Sequence, residues 1–230
     1  MNSIVSFSDF ANPPYVIPNT EEVSASFAVF ALATEQAMLK RILGRTLYDA
    51  FDAGVTWRTW TATITFALGD LATDGETLWE SLQAGNTNHA LAEGAWWTAV
   101  TDNKWFDLFY GADYNEQSGK PCHWDGVHEM LKPYVYSMWL SATFDNHSGN
   151  GIVQANNENA TNLSPKNRII ASWNEFARLV GSCHSVIDTL FGFLYYSGDS
   201  FDSDVTGYDT TREYMSARFY HPGYKNFLDL

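Results

Sequence analysis

The sequence predicts a mainly α fold, a helical bundle built on one long helix with a small β-hairpin or loop projection and extended terminal arms. Three observations carry this. Between residues 164 and 196, Ile169, Trp173, Phe176, Val180, Cys183, Ile187, Leu190 and Leu194 recur in alternating steps of four and three, the period of a helix burying one stripe. Two earlier stretches, 19–51 and 125–144, keep the same helical period. Between the second of these and the long stripe lies an Asn- and Gly-rich segment, 145–163, nearly free of large apolar residues.

Taken in order, residues 1–18 alternate weakly (Ile4, Phe7, Phe10) and then meet Pro13, Pro14 and Pro18, which reads as an extended arm outside the core. Asn19 with Glu22 three residues on is a capping-box signature. Val23, Phe27, Phe30, Ala31, Met38, Leu39 and Ile42 then mark a first helix, and Gly44 marks its end or a bend. Leu47, Tyr48 and Phe51 make a short second helix closing at Gly54. Residues 55–75 alternate Thr with aromatics as a strand would, but their flanks are helical, and a helix is the expectation. Trp79…Leu82…Gly85 and Trp105…Leu108…Gly111 repeat W-x-x-L-x-x-G, and each copy reads as a short helix, although two copies are too few for a solenoid.

From Asp125 to Phe144 Val127, Met130, Leu131, Tyr134, Val135, Met138 and Trp139 form one apolar face, with Pro133 placed to bend the helix. Gly149-Asn150-Gly151 is a turn signal before the strand-like Ile152-Val153. Ser164 and Pro165 then open the long helix as N-cap and first helical residue. A continuous helix to Tyr196 would run roughly 48 Å at ~1.5 Å per residue. Its other face (Ala171, Asn174, Arg178, Ser182, Ser185, Asp188, Gly192) is mostly small, which allows a second contact. Beyond it, 197–230 is an acidic linker and then an aromatic tail with Tyr214, Phe219, Tyr220, Tyr224, Phe227 and Leu228. The organisation is therefore an arm (1–18), a helical bundle (19–144), a projecting loop or hairpin (145–163), the long helix (164–196) and a linker with tail (197–230).

Composition narrows the function. With 230 residues, 45% apolar and 17% charged, the chain can bury a substantial core and is not disordered. Its net charge of −14 argues against a dedicated nucleic-acid binder, which needs clustered Lys and Arg. Nine Trp, twelve Tyr and fifteen Phe fit a core, a protein interface or a sugar-binding cleft. The first residues have no basic segment followed by an apolar run, and no stretch reaches the ~20 apolar residues of a membrane span. The expectation is a soluble protein.

Chemistry-bearing residues concentrate in Cys122-His123-Trp124-Asp125-Gly126-Val127-His128-Glu129. Asp125 and Glu129, four apart, would share a helix face as some metal sites use, yet they equally suit the first turn of a helix as acids facing its positive end. No H-E-x-x-H or similar zinc spacing is present. Cys183 and His184 are adjacent, so on a helix they point about 100° apart and make a poor nucleophile and base. Asp199, Asp202, Asp204 and Asp209 lack the order of an EF-hand. No catalytic, cofactor-binding or metal-ligating residue is assigned. The alternative is a metal-dependent or carbohydrate-active hydrolase using the His123, His128 and Glu129 region.

Several stretches occur in a set order: Glu35 to Gly44 with Leu47, Tyr48 and Phe51; Lys104-Trp105 through Leu108 to Gly111, with Tyr114; and Trp124 to Gly126 with Met130, Leu131, Tyr134 and Tyr136. Gly151 to Val153 with Glu158 to Ala160, and Trp173 to Glu175, complete the set. Together they resemble the head–tail connector (adaptor or head-completion) proteins of tailed phages, as in Bacteroides and crAss-like phages. The resemblance covers roughly residues 30–195 and does not account for 55–75 or the tail. It implies a structural virion protein, not an enzyme and without cofactor: one subunit of a homo-oligomeric ring of about twelve. Such a neck ring, at the head–tail junction of the virion, would bind the portal and another neck or tail protein. It would form part of the channel for viral DNA ejection and pass double-stranded DNA without specific binding or any membrane contact. Synthesis would be in the host cytoplasm.

Overall fold

The computed structural model describes residues 3–17, 21–116, 118–144, 146–148, 151–153, 166–181 and 188–196. Among these are six α-helices, which supply most of the regular structure, and ten short strands. The helices are α1 (Glu21–Ile42), α2 (Gly44–Gly54), α3 (Lys104–Tyr110), α4 (Gly126–Phe144), α5 (Lys166–Val180) and α6 (Leu190–Tyr196). The sequence pattern explains the first two: Phe27, Ala31, Glu35, Met38, Leu39 and Ile42 are buried along one face of α1, and Leu47, Tyr48 and Phe51 along α2. Between them Gly44 takes a φ of 71°, which turns the chain where a side chain would be strained. Asn103 caps α3, its Oδ1 accepting from the N–H groups of Trp105 and Phe106, each at 3.1 Å. Helix α4 carries Pro133 and packs along α5, with Tyr134 against Trp173 and Phe176.

Residues 55–75 are not helical. They form strands β1 (Arg58–Thr59) and β2 (Thr65–Phe66) and the start of β3 (Leu71–Thr73). The alternation prevails over the helical flanks because β-branched Thr and aromatic residues suit a half-buried pleated surface: Phe66 is fully buried while Thr65 faces solvent. With β4 (Leu78–Ser81) and β6 (Trp97–Val100), β1 and β3 make a four-stranded sheet in the order β1-β3-β4-β6, β1 and β3 parallel and the rest antiparallel. β2 pairs with β5 (Asn86–Thr87). Phe66, Ala72 and Trp97 form a small core of their own beneath Trp60, Trp79 and Trp96. The helical bundle of 19–144 is thus interrupted by a β module. The two W-x-x-L-x-x-G copies differ in consequence: Trp79 lies on β4, Trp105 on α3.

The single helix over 164–196 is also corrected. Helix α5 stops at Val180, and Gly181, with a φ of 104°, donates its N–H back to the carbonyls of Ala177 and Arg178 as a C-terminal cap. Asp188 has a φ of 56°, and α6 restarts at Leu190. The apolar period runs through the break, but Gly181 ends the helix because it reaches the left-handed region without strain. Cys183, His184 and Ile187 lie outside the described residues, as do Ser164, Pro165, Asn19, Glu158 to Ala160 and the linker and tail from 197. Within 145–163, β9 (Asn146–Ser148) and β10 (Gly151–Val153) form an antiparallel hairpin.

The arm is the third correction. Ile4, Val5, Phe10 and Ile17 are buried in the main core, and Phe7–Phe10 forms a 3₁₀ turn. Phe10 meets Phe27 edge-on at 5.0 Å and stacks on Tyr136 at 6.5 Å. Four aromatic or aliphatic anchors in seventeen residues suffice to seat the segment on α1 and α4 without regular periodicity. A second hairpin, β7 (Ala112–Asn115) and β8 (Pro121–Trp124), leads from α3 to α4. No helix among the described residues is long and apolar enough to cross a membrane.

Candidate functional site

Two polar clusters border the helical body, and the sequence octet 122–129 is divided between them. The first centres on His128, near the start of α4. Its Nε2 lies 3.4 Å from an Asp9 carboxylate oxygen and its Nδ1 3.3 Å from Glu129. Lys132, one turn on, bonds Glu129 and approaches Asp9 at 4.0 Å. Burial alone would depress the imidazole, but hydrogen bonds to Asp9 and Glu129 leave its pKa raised. Burial pushes Asp9 up, yet the bonds from His128 and Ser6 hold it down to about 2. Glu129 is lowered, first by its hydrogen bond with His128. The group is therefore an ion-pair network at neutral pH.

Its neighbour Glu35, only 1% exposed on α1, completes the attachment of the arm. The carboxylate accepts from the backbone N–H groups of Ile4 (2.8 Å) and Val5 (3.1 Å) and from the Ser3 hydroxyl (2.9 Å). Burial outweighs these bonds and raises its pKa.

The second cluster lies on the β7–β8 hairpin. His123 Nδ1 is 2.7 Å from Asp113, its Nε2 is 3.7 Å from Asp125, and its backbone N–H donates to Asp188 at 2.9 Å. The Asp188 N–H in turn donates to the Tyr114 hydroxyl, whose pKa burial raises to about 12. Cys122 is buried beside it, its thiol directed to the Lys120 carbonyl.

Asp125 and Glu129, expected on one face, are separated. The helix begins one residue later, at Gly126, whose φ of 92° directs Asp125 to His123 while Glu129 turns to His128. His123 and His128 line different concavities. Among the described residues no group of three or more His, Cys, Asp or Glu is placed to hold a metal ion. Sequence reading missed Asp9 and Glu35. Ser6-x-x-Asp9 is a capping-box spacing and was the available signal for the first: the Ser6 N–H donates to Asp9 at 2.7 Å. Glu35 offered only an acid within an apolar stripe.

What the arrangement does chemically is bind chain to chain: each acid has a cation, an amide or a hydroxyl within the protein. Compared with protein-family models, curated proteins and solved structures, the chain matches none.

Proposed function

We propose that this chain is a structural virion protein, the subunit of a ring that joins the portal of a tailed phage to its tail and lines part of the DNA channel. The observation that supports the reading is the fate of the stretches that resemble connector proteins. Met38, Leu39, Ile42, Leu47, Tyr48, Phe51, Leu108, Trp124, Met130, Leu131, Tyr134 and Tyr136 are all buried in one continuous core. Residues 58–73, which the resemblance leaves unexplained, belong to the β module instead. The acidic balance suits a conduit, because a negative wall repels passing phosphates. The hydrolase alternative uses the region of His123, His128 and Glu129, of which His128 and Glu129 share one cluster while His123 belongs to the other.

The test is made on particles, since a ring subunit can stay monomeric until its docking platform exists. Quantitative mass spectrometry of washed phage particles should find this chain at close to the copy number of portal, and still there after the tail fibres are lost. Absence from washed particles would end the proposal.

A further inference from the structure

Beneath the arm lies a cleft of about 590 Å³ that the ring reading does not use. Its size is within the range of small-ligand sites, roughly 300–1,000 Å³. The arm lines it with Ser3, Ser6 and Asp9, and Trp57, Thr59, Thr61, Tyr110 and His128 line it from the rest of the protein. We infer that this cleft binds a neutral, hydroxyl-rich ligand, a sugar ring.

Three features of the walls select that chemistry. Trp57, Phe109 and Tyr110 give the cleft an aromatic side, of which the half-buried Tyr110 is the most open, and a pyranose presents an apolar C–H face to such a ring. Around it stand the short polar side chains of Ser6, Thr59 and Thr61, all exposed, which match a rim of hydroxyls. The charges cancel in place: Asp9 faces His128 at 3.4 Å, and Arg58 faces Asp70 at 2.6 Å. A phosphate or a nucleotide would need a cation without a partner, and a metal would need converging acids. A polyol needs neither.

Because the arm forms a wall and Glu35 holds the arm, ligand binding and arm docking are linked. A ligand that needs the arm in place must stabilise it.

The full chain, labelled with ¹⁵N, would be titrated with glucose, galactose, mannose and N-acetylglucosamine and read by amide chemical shifts. At least one sugar is expected to give saturable shifts at Ser6, Thr59 and Tyr110, with a Kd of about 1 mM or tighter. The amides of Ile4 and Val5 should exchange more slowly in its presence. Thr61→Trp places a large ring at the exposed mouth and should weaken binding at least about tenfold. Tyr110→Leu, which removes the aromatic face, provides a second reading if the Trp variant misfolds, and should also weaken it. No saturable shift with any of the four sugars would overturn the inference. So would binding that ignores both substitutions, or shifts centred on Trp79 and Trp96 of the β module. Neither result bears on copy number in particles, so this inference and the ring reading fail independently.

Discussion

Glu35 occupies a position where the stripe of α1 would otherwise be apolar, and its carboxylate takes the place of a sheet partner for Ile4 and Val5. With Asp9 and His128 it makes arm docking dependent on pH, and the directions can be worked out group by group. His128 has a folded pKa above its ordinary 6.5, so its contribution is complete below 6.5 and is lost as pH rises through the raised value. Glu35, raised above 4.5, acts in the same direction: its contribution is present below 4.5 and fades as pH rises through the folded value. Asp9 acts oppositely, contributing above 3.8 and losing that contribution as pH falls toward about 2. Lys132 and Glu129 face the same pair from α4, and the hydrogen bond with His128 holds the Glu129 carboxyl below its ordinary range. The arm is therefore held most firmly in mild acid and loosens above neutrality. Hydrogen exchange at Ile4 and Val5, corrected for intrinsic rates, should show protection falling between pH 6 and pH 9. In His128→Gln that fall should be reduced, and an unchanged profile would remove His128 from the latch.

At the scale of elements, the passage from α3 through β7–β8 into α4 depends on two glycines that face one another. Gly111 (φ 105°) approaches the carbonyl of Trp124, and Gly126 (φ 92°) approaches the backbone of Phe109 and Tyr110. A Cβ on Gly126 would stand 2.5 Å from the Phe109 carbonyl oxygen, and backbone cannot give way as a side chain can. Gly126→Ala should cost about 3 kcal/mol or more in denaturant unfolding, strain and clash together. Gly119→Ala is the control. Its φ of 84° is also left-handed, but nothing lies within 4 Å of the added carbon, so strain alone remains, about 1 kcal/mol. Equal losses would show that the close approach adds nothing. Gly111 is part of a stretch the sequence singled out, and Gly126 closes the Trp124-Asp125-Gly126 run, yet the period of neither segment showed that the two meet.

Across the whole molecule, the small core of the β module sits apart from the main one, with Leu78 of β4 joining the sheet to the helical body. Trp97 is the centre of the smaller core: it meets Phe66 edge-on at 5.1 Å and donates its indole N–H to the His89 carbonyl at 2.9 Å. Trp97→Ala should cost about 3–5 kcal/mol, and the loss should be local. In hydrogen-exchange mass spectrometry, peptides from 58–100 should lose protection while those of α4 and α5 keep theirs. Uniform loss would mean that the module and the body fold as one unit. The same division describes what could be read in advance. Helices α1 and α4 follow from stripes longer than three turns, and α2 from the shorter run of Leu47, Tyr48 and Phe51. The sheet, made of strands two to four residues long, leaves no comparable period.

The sequence by itself determined the helical body and the absence of any familiar catalytic motif, because a long amphipathic stripe is a local property of consecutive residues. It also placed the turn at Gly44 and the bend-prone Pro133. Tertiary structure alone decided three things: that the arm is core, that the apolar period of 164–196 is divided at Gly181, and that the octet 122–129 feeds two clusters. The first and the last depend on partners far along the chain, Glu35 for Val5, Asp9 for His128 and Asp188 for His123. No periodicity within one segment encodes a contact whose other half lies 30, 65 or 119 residues away.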